Sequence, residues 1–257
     1  MRYAAGVEYV GTAYSGWQIQ GHAPSVQAVI ESALTRVADA PIKLTAAGRT
    51  DAGVHALGQV VHFDTAVVRR DIAWLFGGNA GLPPDINLRW VQAVAEDFHA
   101  RHTALSRRYV YLIHNAPARS SLLHRRAAWC RQPLDEARMH AAAQHLLGEQ
   151  DFSAFRAIEC QSRTPMRNVL RVQVSRRGQI VELEIEANAF LHHMVRNIVG
   201  SLIEVGRDLR PIDWTRELLA GRDRRSAGAT APAHGLYLAQ VRYPERFELP
   251  DSPGIVI

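Results

Sequence analysis

The chain has 257 residues, 47% of them hydrophobic, and a formal net charge of +5. That is enough apolar material for one large core or two ordinary ones, which excludes a disordered or low-complexity chain. No apolar run reaches the ~18 residues a membrane-spanning helix needs, and MRYAAGVEYV carries an acid and tyrosines where a signal peptide needs a continuous apolar stretch, so a cytoplasmic protein with no membrane partner is expected. Cys130 and Cys160 have no metal-ligand spacing and are too few for a disulfide framework. They read as ordinary thiols in a reducing compartment.

Residues 2 to 10 (RYAAGVEYV) predict a strand, followed by the turn-rich GTAYSG. Ser25 reads as a helix N-cap, with Val26, Ile30, Ala33, Leu34 and Val37 behind it at helical spacing. Strands are expected at 42 to 46 and 55 to 63, a short helix at 71 to 79, and another strand at 86 to 94 after the breaker GLPPD. The first half therefore runs β-α-β-β-α-β.

The second half follows suit, with a strand at 103 to 114, a helix at 134 to 147, a hairpin of 168 to 175 with 180 to 187, a helix at 190 to 205 and a strand at 235 to 242. Two copies of the split β-α-β unit make an α+β protein of two ferredoxin-like halves with antiparallel sheets. The expected division is 1–97 for a half carrying a candidate catalytic loop, 98–248 for a half carrying arginine-rich segments, and 249–257 for a tail.

Lys43 is the only lysine among 30 basic residues. A coding bias toward arginine explains that equally well, so distribution has to decide. From Phe98 to Gln132 there is no acid, yet Arg101, Arg107, Arg108, Arg119, Arg125, Arg126 and Arg131 are interleaved with Tyr109, Tyr111 and Trp129. A second stretch holds Arg156, Arg163, Arg167, Arg171, Arg176 and Arg177 against Glu159 alone. Guanidinium forks match phosphate oxygens and stack on bases, so the two stretches point to a nucleic-acid track.

Residues 46 to 56 read AAGRTDAGVHA and fall in the connection between two expected strands. Asp51 stands there among alanines and glycines, either as an ion-pair partner of Arg49 or a cap on a glycine turn, or as a catalytic carboxylate. Gly48 and Gly53 would let backbone approach a planar ligand, and a neighbouring guanidinium suits a nucleophile or base better than an acid. Nothing else competes for that role. GGNAGLPPD lacks the Lys-Ser/Thr of a phosphate loop, His-Glu-x-x-His is missing, and no serine sits in a Gly-x-Ser-x-Gly elbow. His99 and His102, three apart, and the adjacent His192 and His193 admit a metal-dependent hydrolase, but neither pair has a carboxylate or thiol at ligand spacing.

GRTDAGVHA (48–56) resembles the catalytic loop of the tRNA pseudouridine synthase A family, and the likeness continues in family order through GWQIQ (16–20), FHARH (98–102), SRRYVY (106–111), QSRTP (161–165), NAFLHHMVRNIVG (188–200) and HGLYL (234–238). His102 departs from the phenylalanine expected there, which touches a packing or stacking contact and not the chemistry. The resemblance implies isomerisation of uridine to pseudouridine at positions 38, 39 and 40 of the tRNA anticodon arm by a homodimer without cofactor or metal. It implies Asp51 as the catalytic carboxylate, Tyr109 stacked on the uracil, Arg49 at the flipped nucleotide's phosphate or in the gap it leaves, Arg196 as the partner of Asp51, and Leu236 as an apolar wall. Arg69, the run Phe98, His99, Ala100, Arg101 and His102, and the run Gln161, Ser162, Arg163, Thr164 and Pro165 would track tRNA phosphates. A non-catalytic RNA-binding module is the alternative, since ferredoxin-like sheets also bind RNA by shape and stacking.

Overall fold

The computed structural model describes residues 1–251, so most of the expected 249–257 tail lies outside the described residues. The chain forms two compact units, Met1–Arg107 joined by the chain from Tyr237 onward, and Arg108–Leu236.

The first unit begins with β1 (Arg2–Tyr9), α1 (Val26–Ala38), β2 (Thr45–Ala46), β3 (His55–Asp64), α2 (Asp71–Ala80) and β4 (Ile86–Val94), the order expected from the sequence. β1 pairs antiparallel with both β3 and β4. Ser25 caps α1, its Oγ accepting the Ala28 N–H at 3.3 Å, and Val26, Ile30, Ala33 and Leu34 are buried. Tyr3 stacks on Phe63 and Trp74 meets both at an angle, with ring centres 5.2 to 5.5 Å apart, filling the space between sheet and α2. The expected strand at 42 to 46 shrinks to the two residues of β2 for a local reason. The Ile42 N–H donates to Thr35 Oγ1 and the Leu44 N–H to Glu31 Oε1, so side chains of α1 take the amides a ladder would have used.

The second unit holds β5 (Ser106–Asn115, of which Arg108 onward belongs here), β6 (Ala128–Cys130), α3 (Glu136–Gln144), β7 (Gly148–Asp151), β8 (Met166–Arg177), β9 (Ile180–Ala187), α4 (Met194–Gly206) and α5 (Trp214–Gly221). Its strands lie in the order β5-β9-β8-β7, with β6 parallel to β5. Gly178, at φ +58, turns the β8-β9 hairpin. The helix expected from 190 starts only at Met194, because His193 sits in the left-handed region at φ 59 and cannot be a helical residue. Cys130 and Cys160 are unbridged thiols.

β10 (Leu236–Arg242) is the strand expected to finish the second half, yet from Tyr237 it belongs to the first unit, where Tyr237 and Leu238 pair parallel with His55 and Ala56 of β3. The division after Arg107, and not after residue 97, has a packing cause. Phe98 is fully buried against Tyr243 and Phe247 with ring centres 5.1 Å away, and Ala100 is tied by its N–H to His62 Nδ1 and by its carbonyl to the Tyr243 hydroxyl. Phe98 and Ala100 thus anchor residues 98 to 107 to the first unit.

Candidate active site and RNA-facing segments

Asp51 lies half-buried in the connection between β2 and β3, and almost every neighbouring group on that loop is tied down. At its start the Ala47 N–H donates to the Val60 carbonyl at 2.8 Å, Arg107 Nη2 donates to the Ala47 carbonyl at 2.9 Å, and Gln59 Nε2 donates to the Gly48 carbonyl at 2.6 Å. Next to the acid, Thr50 is held twice. Its buried Oγ1 lies 2.7 Å from the Tyr9 hydroxyl, and its carbonyl accepts the Trp17 N–H at 3.0 Å. Beyond the acid, the Val54 N–H closes a turn onto the Asp51 carbonyl at 3.1 Å, and the Gly53 N–H reaches the Tyr14 carbonyl. His55 Nδ1 accepts the Gly11 N–H at 3.1 Å while its ring lies 4.6 Å from that of Tyr237.

Each such bond contributes about 1 kcal/mol, and together they fix where the carboxylate stands before any substrate arrives. Most of these supports, Tyr9, Gly11, Tyr14, Trp17, Gln59 and Arg107, come from outside the loop. The sequence marked GTAYSG only as a turn; its dense glycine and aromatic content beside GWQIQ was the available signal. Arg49 is exposed on the same loop.

Tyr109, Arg196 and Leu236 belong to the second unit. Tyr109, on β5, is 8% exposed, with the Phe190 ring standing edge-on at 5.0 Å, whereas Tyr111 is fully buried and donates its hydroxyl to the Pro232 carbonyl. Burial pushes the Tyr111 phenol well up, so it stays a neutral donor. Arg196, on α4, is clipped to Ala231 at two points: its Nε donates to the Ala231 carbonyl at 2.8 Å, and its own carbonyl accepts the Ala231 N–H. The next residue, Asn197, is a buried hub. Its Oδ1 accepts from Arg224 and Thr230, and its Nδ2 donates to the Phe155 carbonyl. Leu236 is buried at the start of β10.

The segment 98–102 divides by burial. Phe98 and Ala100 are fully buried, so their side chains anchor the segment from within. Arg101 and His102 are exposed, and His99 Nδ1 accepts both of their N–H groups, a cap that leaves that nitrogen no lone pair for a metal. Arg69 is exposed just ahead of α2. In the 161–165 loop, Gln161, Arg163 and Thr164 are exposed, while Ser162 and Pro165 are half-buried. Arg156 and Arg167 brace that loop from within: Arg156 donates to the Cys160 and Ser162 carbonyls, and Arg167 to Ser162 Oγ and the Thr164 carbonyl.

His62 beneath the 98–102 segment supplies a pH-dependent prediction. Burial, then the nearby His99, Arg2 and His102, against a smaller opposing pull from Asp64, lower its pKa from 6.5 to about 4. With Nδ1 committed to the Ala100 N–H, a second proton would cost that bond. The unfolded chain takes up this proton below pH 6.5 and the folded chain does not, so stability is lost as pH falls through the window from about 6.5 to about 4, by roughly 2 kcal/mol. His62→Asn keeps an acceptor near Nδ1 and cannot titrate. Urea melts should show a flatter stability profile in that window for the variant, and an unchanged slope would refute the assignment.

The chain is an α+β protein with a braced loop around Asp51, and its sequence matches the family model described as tRNA pseudouridine synthase over residues 5–102 and 142–244. The chain belongs to that family, isomerases that act on uridine in tRNA. It is 56% identical to the tRNA pseudouridine synthase A of Citrobacter koseri, over 98% of this chain and 93% of that protein, and equally to the Salmonella arizonae protein of the same name. A chain of a solved Cbf5-Nop10-Gar1 complex aligns over 78% of this chain and 45% of its own at 13% identity and a TM-score of 0.38, a likeness that carries neither fold nor activity. Among the described residues no helix is long and apolar enough to cross a membrane.

Proposed function

We propose that the chain isomerises uridine to pseudouridine at positions 38, 39 and 40 of the tRNA anticodon arm, with Asp51 as its essential carboxylate. The observation that carries this reading is the loop itself: the residues flanking Asp51 are bonded on both sides, to β1, β3 and the 11–17 segment, as a group that must be positioned before reaction requires.

In the reaction the C1′–N1 bond breaks, the uracil turns, C5 bonds to C1′, the C5 proton leaves to solvent, and N1 takes up a proton in its place. Nothing is oxidised and no group is transferred. One ionised carboxylate serves each available route, whether it attacks C1′, adds to the base or takes the C2′ proton. A base stacked in a helical arm is unreachable, so the nucleotide has to be flipped out and held. Tyr109 then stacks on the uracil and assists loss of the C5 proton, Leu236 walls the pocket, Arg49 holds the flipped nucleotide's phosphate, and Arg196 balances the charge of Asp51. Arg69, His99, Arg101, His102 and the 161–165 loop grip the tRNA backbone. The active species in this reading is a cytoplasmic homodimer needing neither cofactor nor metal.

The test is tritium release from tRNA transcripts labelled at C5 of uridine, run in excess chelator, with carbodiimide mapping of the product. Release with modification confined to positions 38 to 40 is the expected outcome. Tight, salt-sensitive binding without release would make the chain an RNA-binding module, and activity recovered only with added zinc would make it a metal enzyme.

A further inference from the structure

We propose that Arg224 is a positioning residue of the reaction, which folds residues 223–231 into a strap that sets where the Arg196 guanidinium stands; this rests on Arg196 serving Asp51 as proposed above. Strap and helix belong to the same unit, so the second unit alone carries the device.

Arg196 meets the strap at Ala231, a buried residue. Its Nε donates to the Ala231 carbonyl at 2.8 Å, and its own carbonyl accepts the Ala231 N–H at 3.1 Å. A guanidinium is planar and rigid, so a bond that fixes Nε also fixes the direction in which both Nη groups point. Any shift of Ala231 is therefore passed to the charged end of Arg196. Residues 227–232 form neither helix nor strand, which leaves their position to side-chain bonds.

Those bonds converge on Arg224. Its Nη1 donates to the Gly228 carbonyl, and its Nη2 donates to Asn197 Oδ1 and Thr230 Oγ1, each at 3.0 Å. The Thr230 hydroxyl donates to the same Asn197 oxygen at 2.7 Å, and Asn197 is the neighbour of Arg196 on α4. Two further bonds press the strap to the helix. The Gly228 N–H donates to Ser201 Oγ at 3.0 Å, and that hydroxyl donates to the Asn197 carbonyl at 3.0 Å. Gly228 lies so close that a Cβ there would stand 2.8 Å from Gly200 C and Ser201 N. Arg224 thus joins both ends of the strap's bend to a residue adjacent to Arg196, and all these acceptors are neutral. This separates it from Arg225 on the same strap, which is exposed and paired with Asp223. A guanidinium spent on carbonyl, amide and hydroxyl oxygens holds geometry and does not balance charge.

A double-mutant cycle on the full-length chain separates positioning from plain stability. Tritium release at saturating tRNA is measured for Arg196→Ala, Arg224→Gln and the two together, with filter-binding Kd beside each rate. Arg196→Ala should lower kcat about 100-fold and Arg224→Gln about tenfold, the latter with Kd within twofold of wild type. The double variant should match Arg196→Ala within twofold, because Arg224 has nothing left to position. Thr230→Val removes one member of the knot at an exposed site, and should lower kcat about threefold with the wild-type melting temperature. It decides the matter if Arg224→Gln does not fold. Arg225→Ala is the control for lost charge and should keep the wild-type kcat. Losses that multiply in the double variant, or a wild-type kcat for both Arg224→Gln and Thr230→Val while Arg196→Ala is slow, overturn the strap. A wild-type kcat for Arg196→Ala is a different failure: it removes Arg196 from the reaction, and the strap's part in catalysis falls with that premise.

Discussion

Replacing Asp51 by asparagine should abolish tritium release, lowering kcat about 10³-fold or more, while tRNA affinity and melting temperature stay close to wild type. Asparagine keeps the size of the side chain and removes the charge and the nucleophilic oxygen. Fold effects should be slight, because the bonds that brace the loop run through Thr50, Gly48, Gly53, Val54 and His55, and the residue 51 carbonyl that accepts the Val54 N–H is kept in asparagine. Single-turnover rates set beside filter-binding Kd values make the distinction. A residual kcat within tenfold of wild type would remove Asp51 from the chemistry, and a parallel collapse of binding, rate and melting temperature would make it a structural cap.

The second large effect is expected at Gly16. Its φ is +97, and a Cβ there would stand 2.7 Å from the Thr50 carbonyl oxygen and 3.2 Å from Ala52 N and the Asp51 carbonyl carbon. All three atoms are backbone of the Asp51 loop, so no side-chain rotation relieves the clash. For Gly16→Ala either the 14–17 segment or the loop has to shift, on top of about 1 kcal/mol for an unfavourable φ. A displacement near 1 Å at the carboxylate costs about 10²-fold in rate. The variant should therefore lose kcat far more than affinity, with a melting temperature lower by about 5 to 10 °C. Gly21→Ala is the control. It lies in the same part of the chain, a Cβ there meets nothing within 4 Å, and its rate should match wild type. Equal rates for the two alanine variants would mean that the packing of Gly16 against the loop does not set the position of Asp51.

These two sites differ in how far a reader of the sequence could have seen them. Asp51 stands in an unbroken nine-residue motif, so its place between two strands is legible, and the part proposed for it comes from the same motif. The bracing is not. Tyr9, Trp17, Gln59 and Arg107 reach the loop from other stretches, and nothing local in those stretches says which backbone group each will hold. The arginine stretches show the same limit from the other side. An acid-free window measures separation along the chain and not in space. Arg108 and Arg171 find Glu184, and Arg176 finds Glu136, forty residues away. Arg167 turns inward to brace its own loop. Fewer arginines therefore face solvent than composition suggested, and Arg163, Arg177 and Arg119 are among those that do.

The elements divide in the same way. The stripe of Val26, Ile30, Ala33 and Leu34 gives away α1, and Trp214, Thr215, Leu218 and Leu219, buried on one face of α5, carry a comparable but shorter signal. β7, with the sequence GEQD, has no strand-forming residue and exists only because β8 offers it an edge. Tertiary context made that strand, and no window of sequence contains it.

The return of β10 to the first unit sets an order on biosynthesis. Tyr243 reaches the Ala100 carbonyl across 143 residues of chain, and Tyr237 and Leu238 supply the parallel partner of β3 at His55 and Ala56, just after the Asp51 loop. A ribosome finishes residues 1 to 107 early, but must make the whole of the second unit before those partners emerge. The unit begun first is completed last, so a nascent chain holds its carboxylate in an unfinished frame for most of its synthesis. A message cut short before Tyr237 would yield a second unit with nearly all its residues and a first unit whose core is open.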